Sequence, residues 1–170
     1  PVEYRICVAP SQLQPPALAA VTKTSMTLAW PAPASDGGCQ VLSYSIFMDD
    51  GAGGAFSEVN AASVNNLTTL RTHQITSFTT SDTSKTYRFQ LRANNTIGYV
   101  DSQEIAHVLA AVPDKPAAAP AINYTGTTSS RVRTEYAAFT TAMNGGAPIL
   151  SYELEIYDYS TSKWKSLVGG

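Results

Sequence analysis

An all-β fold, built as a tandem of antiparallel β-sandwiches, is what the sequence predicts, on three observations. Apolar and polar residues alternate at period 2 in several short runs, turn residues separate those runs, and the pattern returns about a hundred residues later. No segment sustains a helical period. In order along the chain, Met26, Leu28 and Trp30 alternate with Thr27 and Ala29, so one face of a strand is apolar. Asp36-Gly37-Gly38 is a turn signal, because glycine reaches left-handed backbone without penalty. Tyr44, Ile46 and Met48 form the next apolar face, closed by the hairpin signals Asp50-Gly51 and Gly53-Gly54. Tyr87, Phe89, Leu91 and Ala93 alternate with Arg88, Gln90 and Arg92, and Asn95 to Gly98 make the turn that follows. Short strands at this spacing predict a sandwich.

The repeat is specific. Gly37-Gly38-Cys39-Gln40-Val41-Leu42-Ser43-Tyr44 returns as Gly145-Gly146-Ala147-Pro148-Ile149-Leu150-Ser151-Tyr152, a step of 108 residues from Gly37 to Gly145. The Ala9-Pro10 and Pro15-Pro16 region returns as Val112-Pro113 and Pro116 to Pro120, a step of 103 from Pro10 to Pro113. Each step is the size of one small β-domain. The 170 residues therefore read as about one and a half repeats, and the expectation is a stretch of a longer tandem array.

Composition narrows the function classes. Apolar residues at 44% suffice for a core. A net charge of −2 argues against a nucleic-acid surface or a polybasic membrane patch. Charged residues are 14%, below the ~25% usual for soluble domains, with Thr, Ser, Ala and Asn in their place. By compositional analogy that balance points to secreted and cell-surface proteins. No apolar run approaches the ~18 residues of a membrane span, so no span is expected in this stretch.

The motifs carry a family resemblance over residues 15–110. Trp30 follows a Pro-rich start at Pro15-Pro16. Asp36-Gly37-Gly38-Cys39-Gln40-Val41-Leu42-Ser43-Tyr44 leads into the third strand. Tyr87-Arg88-Phe89-Gln90-Leu91-Arg92-Ala93-Asn94-Asn95-Thr96-Ile97-Gly98 makes the sixth strand and its turn. This resembles a fibronectin type III domain, whose strands are lettered A to G. The resemblance implies a core signature of Trp30, Tyr44, Tyr87, Leu91, Asn95 and Gly98. It implies further that Tyr87 caps a corner by bonding to upstream backbone and that Asn95 orders the F–G turn. Phe78 stands about three residues too far from Tyr87, which predicts an enlarged E–F corner. The implied boundaries are 1–10 for the last strand of a preceding copy, 11–112 for a complete domain, and 113–170 for the first half of a following copy, strands A to C′. In that last copy Tyr152 and Trp164 extend the core signature, and Tyr136 stands in for the B-strand tryptophan.

The two cysteines stand out locally. On this fold Cys7 lies at the exit of the preceding copy and Cys39 in the B–C loop of the complete one. The repeat puts Ala110 opposite Cys7 and Ala147 opposite Cys39, so the pair is present together at one junction and absent together at the next. An inter-domain disulfide fits that pattern and would contribute roughly 3 kcal/mol by closing its loop. Two reduced thiols in a reducing compartment are the alternative. Three sequons, at Asn66, Asn94 and Asn123, are candidate N-glycan acceptors, although a Thr- and Asn-rich chain also generates sequons by chance.

Catalytic chemistry is not expected. His73 and His107 lack a Cys, His or acidic partner at triad or metal-ligand spacing and read as exposed strand histidines. Asp49-Asp50-Gly51 lacks the alternating acids of a calcium loop and reads as a hairpin turn. No catalytic residue, metal site or cofactor is assigned. The expected function is a non-catalytic structural repeat of a long extracellular or cell-surface glycoprotein that builds a filament, surface coat or adhesive stalk. Its expected partners are the neighbouring domains of the same chain, identical chains in a filament, and covalent N-glycans, with no nucleic acid. An intracellular cytoskeletal or ciliary scaffold array and a spacer or recognition module of a larger enzyme are the alternatives.

Overall fold

The computed structural model describes residues 6–59, 71–140 and 142–168. They divide into two compact units, Pro1–Ala111 and Val112–Gly170.

The first unit is a two-sheet sandwich. One sheet orders β1 (Ala17–Val21), β2 (Met26–Ala29) and β5 (Thr72–Ile75) side by side, all antiparallel. The other orders β4 (Ser57–Glu58), β3 (Ser43–Met48), β6 (Thr86–Asn94) and β7 (Tyr99–Asp101), with β8 (Ile105–Val108) continuing along β6. Alternation decides which side chains go in. Met26, Leu28 and Trp30 from one sheet face Tyr44, Ile46, Tyr87, Phe89, Leu91 and Ala93 from the other, and all are buried. Burial of that much apolar surface is the main stabilising term. Ser102 interrupts the last strand between β7 and β8: its Oγ accepts from Leu91 N at 3.0 Å while its own N–H donates to Leu91 O at 2.8 Å. The enlarged E–F corner is there, as a 3-10 turn over Thr80–Asp82 beneath which Phe78 packs on Tyr87 at 4.9 Å. Burial first, and then the charge of the Asp82 carboxylate on this turn, raise the Tyr87 phenol above its ordinary value.

The second unit holds two hairpins, β9 (Ala121–Ile122) with β10 (Thr134–Glu135), and β11 (Leu154–Asp158) with β12 (Lys163–Val168). Its local geometry repeats that of the first. Tyr136 meets Tyr152 at 5.4 Å as Trp30 meets Tyr44 at 5.8 Å. Asp114 N donates to Met143 O at 2.8 Å as Ser11 N donates to Ser35 O at 2.9 Å, one repeat apart at both ends. Asp158 accepts from Ser160 N as Asp50 accepts from Ala52 N. The difference lies in cover. Tyr152 is 42% exposed where Tyr44 is fully buried, and Trp164, expected in a core, is 64% exposed. Trp164 stands across from Tyr157 in the β11–β12 register, on the face opposite Leu154 and Ile156. A strand side chain at that position points away from the interior, and one-residue spacing sets the choice. An apolar cavity of about 450 Å³, lined by Tyr136, Phe139, Met143, Tyr152 and Leu154 among others, lies on the inner side.

Candidate functional site

At one pole of the complete sandwich the incoming segment, residues 6–10, is held against the loop between β2 and β3. The loop can receive it because of its glycines. Gly37 and Gly38 have φ of +73° and +81°, and a Cβ on Gly37 would stand 2.0 Å from Val8 O. Ser35 Oγ accepts from Gly37 N, and Asp36 Oδ1 accepts from Gly38 N at 2.8 Å, so the turn is set by its own side chains. Val8 N then donates to Gly37 O at 2.9 Å. Cys7 and Cys39 are joined by a disulfide bond, with Cα atoms 5.5 Å apart, and both are half-buried.

Asn95 ties the third piece in. It is buried at the start of the turn after β6. Its Oδ1 accepts from Ile97 N at 2.9 Å and Gly98 N at 3.1 Å, which orders the turn. Its Nδ2 donates to Val8 O at 2.6 Å and Asp36 O at 2.9 Å. One amide thus joins the incoming segment, the β2–β3 loop and the β6–β7 turn. A buried amide with all these partners is costly to remove, because each orphaned group keeps its desolvation penalty. Asn95→Ala is expected to lower the unfolding free energy of this unit by about 2–3 kcal/mol and to speed hydrogen exchange at the Val8 amide. An unchanged unfolding midpoint would remove Asn95 from this role.

The other anticipated residues are spread out. Asn94 is half-buried on the outer face of β6, where its Nδ2 donates to Ser43 Oγ at 3.1 Å. Asn123 caps the 3-10 turn Tyr124–Gly126: its Oδ1 accepts from Gly126 N at 3.1 Å and its Nδ2 donates to Glu135 Oε1. Asn66 lies outside the described residues. Trp30, Tyr44, Tyr87 and Leu91 sit in the core. Both histidines are half-buried rather than exposed. Burial alone draws the His73 imidazole below its ordinary value, and His107 Nε2 lies 3.2 Å from Pro16 O, with its ring near Phe89. Period 2 alone predicts exposure, because alternation tells which face a residue is on but not how much a neighbouring strand covers it.

Asp49 is the residue that pattern reasoning missed. Read as turn punctuation, it is buried at 3% exposure and bonded to Arg88 across the sheet. Its Oδ2 accepts from Arg88 Nε at 2.8 Å, and its Oδ1 accepts from Arg88 N and Gly51 N. Arg88 also reaches Gly54 O and lies over the Phe56 ring. Arg92 pairs with Asp101 through two bonds and lies over Tyr99 at 3.9 Å and Phe47 at 5.0 Å. The outer face of this sheet is therefore a row of arginines from β6 stacked on aromatic rings.

Among the described residues no three His, Cys, Asp or Glu side chains cluster as metal ligands, and no helix is long and apolar enough to cross a membrane. No family model matches the chain. Solved structures do resemble it. A solution structure of a fourth fibronectin type III domain from human is 16% identical, covers 68% of this chain and 92% of its own, and superposes with a TM-score of 0.52. A crystal structure of domains from titin is 18% identical over 61% of this chain and 33% of that one, with a TM-score of 0.50. The chain thus spans about a third of the titin structure it matches. The fibronectin type III domain of human fibronectin type III domain containing protein 3 is 19% identical over 59% of this chain and 86% of that one, at a TM-score of 0.47. At these identities the likeness is one of fold: the first unit has the fibronectin type III fold, a modular β-sandwich.

Proposed function

We propose that the chain is a non-catalytic structural stretch of a tandem array exposed outside the cell, forming a filament, surface coat or adhesive stalk. In this reading residues 1–10 end a preceding copy, 11–112 make a complete domain, and 113–170 begin a following one. The observation that carries it is the linker held in three ways at one pole: the Cys7–Cys39 bond, the Val8–Gly37 hydrogen bond and the Asn95 amide. A spacer transmits direction from module to module only if its linker cannot swing, and a covalent tie to a loop of the next sandwich restrains it. A disulfide also fits an oxidising compartment.

Two further observations support the tandem. Ile6 is 87% exposed, while its repeat equivalent Leu109, which directly follows β8, is fully buried. In the second unit, the Tyr136–Tyr152 contact repeats Trp30–Tyr44 with less cover. The partners are then the neighbouring domains, identical chains in a filament, and N-glycans on Asn66, Asn94 or Asn123.

Mass spectrometry of peptides from the native source, run without reduction, tests this. A Cys7–Cys39 linked peptide together with sugar on any of the three asparagines is the expected result. Free thiols with three bare asparagines would overturn the extracellular reading in favour of an intracellular scaffold array.

A further inference from the structure

Tension applied along the chain has two routes into the first unit, and they load different strands. By the backbone it passes from Cys7 through Val8 to β1 and then β2. β1 is an edge strand that pairs with β2 alone among the described residues. It does so over four register positions, with an irregularity between Leu18 and Ala20, and most of its residues are exposed. By the Cys7–Cys39 bond tension enters instead at Cys39, in the loop that leads into β3. The bond spans a sequence separation of 32 residues, and β1 and β2 lie wholly inside that span. So do the Val8–Gly37 and Ser11–Ser35 backbone bonds.

β3 is anchored differently. It pairs with β4 on one side and with β6 on the other, the latter over six consecutive positions from Ser43 opposite Asn94 to Met48 opposite Phe89. Tyr44, Ser45 and Ile46 within it are buried. β6 pairs in turn with β7 over three positions and with β8 over four. β3 begins beside the end of β6, whereas β8 ends beside its start, with Val108 opposite Thr86. A pull between the start of β3 and the end of β8 therefore runs along the strands of one sheet from opposite ends. Ladder hydrogen bonds lie across the strands, so such a pull shears them all at once rather than opening them one after another.

We infer that the Cys7–Cys39 bond is a load bypass. Tension reaching Cys7 crosses the two sulfur atoms to Cys39 and is borne by β3, β6 and β8, while β1, β2 and the contacts around Val8 carry none. The bond moves the loaded ladder from an irregular edge strand to a strand paired on both sides. The inference rests on the reading of the chain as a stretch of a filament or stalk, and adds which strands bear its load. The 32 residues behind the bond hide about 100–110 Å of chain, at ~3.3–3.6 Å per extended residue less the 5.5 Å between the Cα atoms.

The test is single-molecule pulling on the 170-residue chain held by its two ends. It compares the oxidised protein with two bond-free forms, the reduced protein and Cys7→Ser with Cys39→Ser. The second unit lies in series and is common to all three. The oxidised first unit is expected to open in a step shorter by the hidden length. It is also expected to open about tenfold or more slowly under the same load, because six ladder positions must shear in place of four. A dithiol added to the stretched oxidised chain is expected to release the hidden length in one further step. The dithiol closes to a cyclic disulfide, and its two protons pass to the Cys7 and Cys39 thiols. Leu18 is half-buried in β1 and packs on the core, so Leu18→Ala is expected to speed opening of the bond-free forms and to leave the oxidised rate unchanged. Equal opening rates with and without the bond, or equal acceleration of all forms by Leu18→Ala, would overturn the bypass. Free thiols in the native source, with the expected pulling behaviour of the oxidised protein, would count against the extracellular array and leave the bypass standing as a property of the bonded chain.

Discussion

Trp30→Ala is expected to remove about 3–5 kcal/mol from the first unit, the range for emptying a large aromatic site in a core. Such a loss would take away a large part of the stability of an ordinary domain. Trp30 is buried where β2 ends. Its N–H continues the ladder to Arg71 O at 2.9 Å, and its ring meets Tyr44 of the opposite sheet at 5.8 Å. It therefore bridges the two sheets, and alanine leaves a void between strands that are already fixed by their hydrogen bonds. The indole N–H has no acceptor among the described residues. The stabilisation is thus one of burial and packing, and Trp30→Phe is expected to cost under about 1.5 kcal/mol because it keeps a ring and removes an unsatisfied donor. Denaturant unfolding followed by circular dichroism checks both. A neutral Trp30→Ala would mean that the inner face of β2 is misassigned.

Asp49→Asn is expected to cost about 2–3 kcal/mol at neutral pH, since it takes the buried carboxylate from Arg88 Nε and leaves the guanidinium only the longer, more exposed ion pair with Glu104 at 3.4 Å. The effect carries a pH signature. Burial by itself would raise the Asp49 carboxyl, but the bonds from Arg88, its guanidinium and its backbone N–H, together with Gly51 N–H, outweigh burial and hold it below the ordinary value of 3.8. A group with a depressed folded-state pKa contributes stability that is complete above its unfolded value. That contribution drains away as the pH falls through the folded one. Wild type and Asp49→Asn are therefore expected to differ fully at pH 7 and to converge as the pH drops below about 4. Unfolding curves of the two proteins across that range decide it. A difference that stays constant into acid would show that the carboxylate charge contributes nothing.

Much of the fold was legible because it depends on alternation. Met26, Leu28 and Trp30, then Tyr44 and Ile46, then Tyr87, Phe89 and Leu91 all lie on the side that period 2 assigns them. The glycines of the β2–β3 loop were legible for a similar reason, since a backbone at φ of +73° and +81° selects glycine locally. Alternation alone did not place Trp164, because a hairpin in a half-covered unit leaves either face open to solvent and only the register with Tyr157 shows which one it takes.

By itself, then, the sequence determined the all-β class, the repeat, the turns and the inner faces, since each is set by residues close together in the chain or by their period. Tertiary structure alone decided which distant groups meet. Asn95 bonds to Val8 across 87 residues, and Arg88 reaches Asp49 across 39. Neither pair leaves a local signal, because a hydrogen bond between strands and loops depends on how two sheets twist and stack, and no sequence period encodes that.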